Sequence, residues 1–336
     1  MRKKKVTMKD IAVLAGVSQP TVSIVLNDSD NVRISHDTRE RVISAAKQLE
    51  YQIRRPTSHH NKHHLIAFIV NNLAEKDPFL SALKGTIERA REFEYAVAVL
   101  ENSKMRESQQ TFIDELESGN YGAVIYANNT YAGIEPLNFT PSLPTVMLNC
   151  FYQTDKQVPC IIPADLSGGF QVTQHLLKQG YKRIAFIGEN LSSVASQKRL
   201  DGYRQALLQN DYVPDDSLIR FCHTLGNESY RQTQELLNLS PPPDAIFCAS
   251  DLMAIGCYLA IAHAGLQIPN DIAVAGFENQ SLADKLTPQL TSFHLPYYEM
   301  GKLAVDCLLD RNAGNYELPI QQVEGELCIG DSTTQH

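Results

Sequence analysis

The sequence has no apolar run of the roughly 18 residues that a membrane-spanning helix needs. Its first residues are basic, and they lack the apolar core and the small-residue cleavage site of a secretory signal. Apolar residues make up 43% of the chain and charged residues 20%, which is ordinary for a globular protein. We therefore expect a globular protein that resides in the cytoplasm and makes no contact with a membrane.

The seven cysteines form no Cys-x-x-Cys pair, and they are odd in number and scattered along the chain. This distribution predicts buried, reduced thiols rather than a disulfide framework.

The chain also lacks several motifs that carry enzyme chemistry. These are Gly-x-Ser-x-Gly, His-Glu-x-x-His, the phosphate-binding Gly-x-x-x-x-Gly-Lys-Ser/Thr and the dinucleotide-binding Gly-x-Gly-x-x-Gly. We therefore expect no catalytic residues, no cofactor and no bound metal. An acid–base pair of Asp251 and Glu278, as in glycosidases, is the enzymatic alternative.

The net charge of −8 is unevenly distributed. Residues 1–64 contain 12 Lys and Arg against 6 Asp and Glu, whereas the remaining residues contain 18 against 32. A basic segment on an acidic body is typical of a module that meets phosphate, joined to one that does not. A solvated charged tail is the alternative.

Three short helices are predicted within the first fifty residues. Thr7 and Asp10 form a capping box before the first helix, and Gly16 supplies the turn after it. Ser18 can cap the second helix, and Ser35 begins the third. The apolar stripes at helical spacing are Ile11, Leu14 and Ala15, then Val22, Val25 and Leu26, then Val42, Ile43, Ala46 and Leu49.

Two helices around a glycine-containing turn predict a helix-turn-helix, whose second helix enters the major groove of DNA. The face of that helix opposite its apolar stripe carries Gln19, Pro20, Ser23, Ile24 and Asn27. A small three-helix bundle without a DNA role has the same stripes and is the alternative.

Many residues of this segment also stand at fixed offsets from one another. They are Val6-Thr7-Met8-Lys9-Asp10-Ile11-Ala12, Ala15-Gly16-Val17-Ser18, Thr21-Val22-Ser23, Val25-Leu26-Asn27, Thr38-Arg39-Glu40-Arg41-Val42, Ala45-Ala46 and Leu49-Glu50-Tyr51. In this pattern the chain resembles the headpiece of the LacI/GalR family of bacterial transcription regulators. The resemblance implies that Gln19, Pro20 and Ile24 read bases. It implies contacts to backbone phosphates by Thr7, Ser18, Thr21, Ser23 and Asn27.

Ile24 departs from the arginine that many family members carry at this position. Arginine would bind guanine through two hydrogen bonds, whereas isoleucine makes only apolar contact, best with a thymine methyl group. We therefore predict a half-site without the guanine contact that is usual there.

Residues 51–64 form a predicted linker of unusual composition. Relatives have a hinge helix here with an Ala-Arg-x-Leu motif whose leucine enters the minor groove, and this chain lacks the motif. We expect a looser tether that contacts phosphate through Arg54, Arg55 and Lys62. On a helix, the pairs His59/His63 and His60/His64 would have metal-binding spacing, but a solvated linker is favoured because no cysteine or carboxylate completes a site.

Strand and helix signals alternate through the rest of the chain. The strand signals are 65–70, 95–100, 123–126, 183–187, 218–222, 245–248 and 272–277, and the helix signals are 79–93, 106–118, 166–179, 196–210, 228–239 and 251–264. Such alternation predicts an α/β fold of doubly wound parallel sheets. Two series predict two lobes in a domain that follows the headpiece of residues 1–50. The domain spans 65–336, with one lobe at 65–164 and 295–328 and the other at 165–293.

Several motifs of this domain match the same family. They are Asp165-Leu166-Ser167-Gly168-Gly169, Arg199-Leu200-Asp201-Gly202-Tyr203, Ala249-Ser250-Asp251-Leu252, Ala275-Gly276-Phe277-Glu278 and Glu299-Met300-Gly301. The LacI/GalR effector domain, which is similar to periplasmic sugar-binding proteins, crosses between its lobes three times, here near 164, 294 and 328. The resemblance implies a cleft between the lobes that is lined by Phe79, Asn149, Arg199, Ser250, Asp251 and Glu278.

These side chains suit a polyhydroxylated ligand, because carboxylates and a guanidinium bind hydroxyl groups while an aromatic ring covers an apolar face. A helix-capping role for Asp251 and a surface ion pair for Arg199 are the alternatives. Glu278 stands where relatives often have Asp, and Leu295 where many have Gln. The predicted effector is therefore a sugar, a sugar phosphate or a nucleoside.

The combined prediction is a sequence-specific transcription repressor whose affinity for its operator is controlled by this effector. We expect a homodimer that reads a near-palindromic, double-stranded operator. A solute-binding protein without a DNA role is the alternative, and the basic headpiece argues against it. The sequence leaves the sign of the control, induction or corepression, open.

Overall fold

The computed structural model describes residues 8–18, 21, 22, 25, 36–48, 64–70, 77–101, 116, 120–134, 143–152, 158–190, 192–222, 227–309 and 320–334. The chain divides into two compact units, Met1–Lys62 and His63–His336. No described helix is both long and apolar enough to cross a membrane. All seven cysteines lie in the described residues; none forms a disulfide, and five are buried.

Short helices with small buried side chains form the first unit. Helix α1 (Met8–Ala15) ends at Gly16, whose φ of 64° turns the chain as the sequence predicts. Thr21, Val22 and Val25 are helical, and α2 spans His36–Gln48. The buried core of this unit consists of Ile11, Ala12, Ala15, Val22, Val25, Val42, Ala45 and Ala46.

The predicted apolar stripes of these helices are wrong at two positions. Leu14 is 46% exposed and Ile43 is 38% exposed, whereas Ala12 and Ala45 are buried. Helices α1 and α2 pack against each other. Because the distance between helix axes depends on the side chains at the contact, alanines allow a closer approach than leucine or isoleucine.

Two six-stranded sheets form the frame of the second unit. The strands are β1 (Leu65–Val70), β2 (Ala96–Glu101), β3 (Ala123–Ile134), β4 (Thr145–Tyr152), β5 (Cys160–Pro163), β6 (Ile184–Glu189), β7 (Ile219–Cys222), β8 (Ala245–Cys248), β9 (Ala273–Glu278), β10 (Thr291–His294), β11 (Ile320–Val323) and β12 (Glu326–Cys328). The first sheet has the order β11-β5-β4-β3-β1-β2, and the second has the order β12-β10-β9-β8-β6-β7. Every described pairing is parallel except that of β12 with β10.

Helices cover these sheets and define two lobes. They are α3 (Asp77–Glu92), α4 (Asp165–Lys178), α5 (Val194–Gln209), α6 (Asn227–Leu237), α7 (Asp251–His263) and α8 (Tyr297–Leu309). Helices α3 and α8 pack together on the first sheet to form the first lobe. Helices α4 to α7 pack on the second sheet to form the second lobe. The predicted fold class, a doubly wound α/β domain of two lobes with a helical headpiece, is confirmed.

The chain passes between the lobes three times, after β5, after β10 and after β11. The first two crossings agree with the sequence, but the expected crossing near 328 is wrong. Strand β12 pairs with β10 in the second sheet, so the third crossing falls at Glu324 and Gly325. A Cβ atom on Gly325 would lie 2.1 Å from the carbonyl oxygen of His294, so only glycine fits where these two crossing segments touch.

Candidate functional site

A cluster of polar side chains lies where the two lobes meet. Asn149 lies on β4 of the first sheet, and Asp165 begins α4 directly after the first crossing, which follows β5 of the same sheet. Arg199 lies on α5, and Glu278 is the last residue of β9. Tyr297 begins α8 after the second crossing. Ligands in parallel α/β folds bind beyond the carboxyl ends of the strands, which is where this cluster forms.

Arg199 is the centre of the cluster and is only 6% exposed. Its Nε donates to Oδ1 of Asp165 over 2.8 Å, and its Nη1 donates to the carbonyl oxygen of Ala249 over 2.5 Å. Nη1 also lies 3.8 Å from Oε1 of Glu278, and the guanidinium carbon lies 4.1 Å from the ring centre of Phe277. The alternative of a surface ion pair for Arg199 is therefore wrong.

The carboxylates of this cluster favour the charged form of Arg199, whereas burial favours the neutral form of Asp165. Burial lowers the pKa of the Arg199 guanidinium, but the carboxylates of Asp165 and Glu278 outweigh burial and keep that pKa above its ordinary value. Burial raises the pKa of Asp165, an effect that the charge of Arg199 opposes. Burial, followed by the charge of Glu278, raises the pKa of the Tyr297 phenol, so the phenol stays protonated.

Two buried oxygen atoms beside Arg199 have no hydrogen-bond partner. One is Oδ1 of Asn149, whose Nδ2 donates to the carbonyl oxygen of Asn128 over 2.8 Å. The other is Oδ2 of Asp165, whose Oδ1 accepts from Arg199. Tyr297 links them, because its phenol lies within hydrogen-bonding reach of Asn149 and close to the charge of Asp165. Buried acceptors without donors are rare in folded proteins, and a bound ligand or water usually satisfies them.

The backbone adopts unusual conformations at this site. Asn149, Glu278 and Asn279 have φ values of 57°, 93° and 47°, which non-glycine residues adopt infrequently. Such conformations cluster at ligand-binding sites, where the surrounding structure holds them in place. Here they occur at polar residues on β4 and at the end of β9.

A cavity of about 210 Å³ lies next to this cluster. It is lined by Ser81 of α3, by His294 and Leu295 of the second crossing, and by residues 278–281. Among the predicted cleft residues whose side chains the structure describes, Glu278 alone lines this cavity, and Glu278 also accepts from the side-chain amide of Gln280. This volume is below the roughly 300–1,000 Å³ of pockets for drug-sized ligands, so the cavity suits a small molecule.

Ser250 and Asp251 have different roles from those that a cleft lining requires. Ser250 is the N-cap of α7, since its Oγ accepts from the backbone N–H of Met253. The alternative of a capping role for Asp251 is therefore wrong. Asp251 is fully buried, and its two oxygens accept from the hydroxyl of Ser292 at 2.5 Å and from the backbone N–H of Gln280 at 2.6 Å. Asp251 therefore connects α7 to the loop that follows Glu278, the last residue of β9.

We expect Asp251→Asn to flatten the dependence of stability on pH. Burial, opposed by the hydrogen bond from Ser292, raises the pKa of Asp251 to about 7, above the ordinary aspartate value of 3.8. Between these values unfolding releases a proton, so ionisation favours the unfolded chain and the free energy of unfolding falls as pH rises, by at most about 1.4 kcal/mol per pH unit.

Denaturant unfolding of the wild type and of Asp251→Asn from pH 5 to pH 8 measures this contribution. The difference between the two stability curves cancels the effect of other titrating groups, such as His175. Asparagine keeps the shape and can still accept from Gln280 while donating to Ser292. Parallel stability curves for the wild type and the variant would contradict the prediction.

In the first unit the structure describes two of the predicted DNA-contacting residues, Ser18 and Thr21. The backbone N–H of Thr21 donates to Oγ of Ser18 over 3.3 Å, which confirms that Ser18 caps the second helix. The two hydroxyl oxygens also lie 2.8 Å apart. Both hydroxyl groups therefore lie at the helix N-terminus, where backbone N–H groups and the helix dipole attract phosphate.

Several predicted positions lie outside the described residues: Thr7, Gln19, Pro20, Ser23, Ile24, Asn27, Arg54 and Arg55. Phe79 belongs to α3, but its side chain is likewise outside that set. Sequence reasoning missed three residues of the cluster, namely Asp165, Phe277 and Tyr297. Their signals were present, because Asp165 and Tyr297 directly follow the first two crossings and Phe277 directly precedes Glu278. Within the described residues, no group of three His, Cys, Asp or Glu could hold a metal ion.

Comparison with known proteins places these features in one class of protein. The model of bacterial regulatory proteins of the lacI family matches residues 7–53, and that of a periplasmic binding protein-like domain matches residues 173–333. The transcriptional repressor CytR of Escherichia coli K12 is 30% identical over 314 residues, covering 92% of this chain and 91% of its own. The ribose operon repressor of the same strain is 33% identical over 317 residues, covering 91% of this chain and 92% of its own.

A solved structure extends the likeness to three dimensions. The lac repressor dimer bound to operator and the anti-inducer ONPF superposes with a TM-score of 0.72 at 27% identity. The match covers 99% of this chain and all of that one.

Proposed function

Because the chain belongs to the LacI family of bacterial regulatory proteins, it is a DNA-binding transcription regulator, and we propose that it represses by binding an operator and responds to a small effector held between its two lobes. The observation that carries the effector site is the buried cluster around Arg199, with its two unpartnered oxygens on Asn149 and Asp165. The similarity to the transcriptional repressor CytR supports the repressor role, and the similarity to the lac repressor, solved with operator and an anti-inducer, supports an operator and a small-molecule ligand.

For the DNA contact we propose that the second helix of the headpiece, residues 1–50, reads bases through Gln19, Pro20 and Ile24. Phosphates would be bound by the hydroxyl groups of Ser18 and Thr21, whose position at the helix N-terminus supports this role. Further phosphate contacts are proposed for Thr7, Ser23, Asn27, Arg54 and Arg55. Residues 51–64 would act as the tether.

Replacing Ile24 by arginine is expected to change the preferred operator sequence. Arginine would bind O6 and N7 of guanine, and one good bidentate pair contributes about 1–3 kcal/mol of discrimination against other bases. Selection of binding sites from a random duplex pool by the wild type and by Ile24→Arg checks this. The variant should acquire a guanine at one position of each half-site, and identical preferred sequences would contradict the assignment of Ile24 as a base-reading residue.

For the effector we propose a site formed by Asn149, Arg199 and Glu278 together with Asp165 and Tyr297. Phe79 would cover one face of the ligand. Ser250 and Asp251 would hold the strand ends and loop in place, because their polar atoms already bond within the protein. A polyhydroxylated molecule, a sugar or a nucleoside, fits this set of acceptors and one guanidinium.

Coupling between effector and operator requires that the effector bind one arrangement of the lobes more tightly than the other. The three crossing segments join the two lobes. A ligand that contacts Asn149 in the first lobe and Arg199 in the second would therefore favour the arrangement of the lobes in which both contacts form. We propose a homodimer, since two headpieces related by a twofold axis match a near-palindromic operator.

A thermal-shift screen of the full chain against sugars and nucleosides, with and without operator, tests this function. A ligand that binds should raise the melting temperature, and its effect on operator affinity would give the sign of the control. If no compound changes operator affinity, the proposed control by an effector is wrong.

We further propose that the protein acts in the cytoplasm and without catalysis. The relatives are transcription regulators, and Asp251, one half of the enzymatic alternative, has both oxygens bonded within the protein. Ligand turnover in the same screen would revive that alternative.

A further inference from the structure

We propose that the second lobe has a further ligand site, at the edge of its sheet opposite the polar cluster around Arg199, and that this site binds a small aromatic carboxylate. The site is a second cavity, of about 160 Å³. No described residue of the polar cluster, or of the 210 Å³ cavity beside it, lines this second cavity. The proposal is therefore independent of the effector site and goes beyond the proposed function.

The second cavity lies where two strands of the second sheet begin. It is lined by Ile184, the first residue of β6, and by Leu218, the residue before β7. Strands β6 and β7 are parallel, so this is the amino-terminal edge of the sheet. Glu278 of the polar cluster ends β9 at the carboxyl-terminal edge. Strand β6 has 6 residues and is about 17 Å long, so the two sites lie about one strand length apart.

Apolar side chains form the interior of the second cavity. Ile184, Leu207 and Leu218 are at most 4% exposed and belong to the hydrophobic core. Tyr203 is fully buried, and its phenol donates to the carbonyl oxygen of Ile184 over 2.8 Å, so its hydroxyl group is satisfied and its ring supplies further apolar surface. An engineered apolar cavity of about 150 Å³ binds benzene. The second cavity therefore has room for one six-membered aromatic ring.

The mouth of this cavity is formed by its more exposed lining residues. Lys182 is exposed, Val213 is 85% exposed, and Tyr212 is half-buried against the core. A ring bound at this mouth removes apolar surface of Tyr212 and Val213 from water. Aromatic pairs also contribute more than the area that they bury. The mouth therefore favours an aromatic ligand over an aliphatic one of the same size.

The charged groups at the mouth favour an anion. Nη1 of Arg183 donates to Oδ2 of Asp215 over 3.2 Å, and Oδ1 of Asp215 accepts from the backbone N–H of Ser217 over 2.9 Å. Hydrogen bonds from Ser217, and then from Arg183, lower the pKa of Asp215, so this carboxylate is ionised. The ammonium group of Lys182 makes no ion pair with any residue that the structure describes. Two cations and one carboxylate give the mouth a net charge of +1.

A carboxylate on the ligand matches this charge. It carries one negative charge and accepts the hydrogen bonds that the ammonium group of Lys182 and the guanidinium of Arg183 can donate. A phosphate ester would instead bring a charge of about −1.5 to −2 beside the carboxylate of Asp215. A ring in the interior and a carboxylate at the mouth together describe a ligand of the size and chemistry of benzoate.

Titration of the full chain with benzoate, benzyl alcohol and acetate, followed by saturation-transfer nuclear magnetic resonance of the ligand, tests this site. Benzoate should bind with a Kd of about 1 mM or tighter. Benzyl alcohol lacks the charge and should bind more weakly, and acetate lacks the ring and should not saturate. The proposal is overturned if benzoate does not saturate the protein by about 10 mM, or if benzyl alcohol binds as tightly as benzoate.

Variants at the mouth show whether benzoate binds in the second cavity. Lys182→Gln should weaken benzoate about 3-fold, the size of an exposed charge contact, and leave benzyl alcohol unchanged. The matched control is Lys198→Gln, an exposed lysine of α5 that does not line the cavity, and it should change neither Kd. Tyr212→Ala removes an aromatic wall and should weaken both ligands about 10-fold.

Equal benzoate binding by the wild type and Lys182→Gln, or equal weakening by both lysine variants, would place benzoate elsewhere and overturn the proposal. If Tyr212→Ala does not unfold cooperatively, the two lysine variants alone decide the outcome. The measured quantity is benzoate binding and not operator affinity, and Lys182 and Tyr212 lie outside the polar cluster. Failure here therefore leaves the proposed control by an effector untouched, and failure of that control leaves this site untouched.

Discussion

Replacement of Arg199 by methionine is expected to lower the free energy of unfolding by about 3–5 kcal/mol and to abolish effector binding. Methionine has a similar length and an apolar stem, so the change removes the charge with little loss of volume. Removal of one partner from a buried ion pair is costly because the other charge stays buried without compensation. For Arg199 that partner is Asp165, at 2% exposure.

Further contacts of Arg199 add to this cost. The carbonyl oxygen of Ala249 loses its donor directly before Ser250, the N-cap of α7. Phe277 loses the guanidinium that lies over its ring. Because Asp165 is on α4 and Arg199 on α5, the variant also loosens a contact on which the site depends.

The matched control is Arg204→Met on the same helix. Arg204 pairs with Asp216 over 3.3 Å, but the two side chains are 43% and 89% exposed, so the loss should stay below about 1 kcal/mol. Urea unfolding of both variants measures the difference. The double variant Arg199→Met with Asp165→Asn should recover part of the stability, since it removes the uncompensated charge. Similar losses at Arg199 and Arg204 would show that the cluster is not held by buried charge.

Much of this fold follows from local patterns in the sequence. Strands such as β1 and β8 are fully apolar because both faces of a parallel sheet are covered by helices, and such runs are easy to detect between amphipathic helices. The turn at Gly16 and the cap at Ser18 depend only on neighbouring residues, so the sequence predicts both.

Features that depend on distant partners were harder to predict. Strand β12 joins the second sheet through pairing with β10, a contact that no local pattern encodes. On α1, Ala12 is buried and Leu14 is exposed because α2 packs closely against the helix. The spacing of apolar residues in the sequence does not predict this difference. At the site, adjacency in sequence misled the interpretation of Ser250 and Asp251. Only the fold shows that the serine caps the helix while the aspartate reaches Ser292 and Gln280.

Glycines at a helix crossing support the second large prediction. A Cβ atom on Gly169 of α4 would lie 2.2 Å from the carbonyl oxygen of Arg199, and one on Gly202 of α5 would lie 2.1 Å from that of Leu166. The two helices therefore contact each other backbone to backbone. This contact explains the glycines in two motifs that also contain Asp165 and Arg199, because the close crossing brings the ion pair together.

Gly202→Ala is accordingly expected to destabilise the protein by about 3 kcal/mol and to weaken effector binding. On a helix whose glycine has free space around it, the same change would stabilise the protein by about 1 kcal/mol, because alanine has the higher helix propensity. The sign of the measured change therefore shows whether the backbone clash or helix propensity dominates. The clash is with backbone atoms that cannot rotate away, so α5 must move from α4 and carry Arg199 with it. Urea unfolding measures the loss, with Gln205→Ala on the exposed face of α5 as the control that should change stability little. A stabilised Gly202→Ala variant would contradict the prediction. It would mean that α4 and α5 can separate without cost and that their close crossing does not hold Asp165 and Arg199 together.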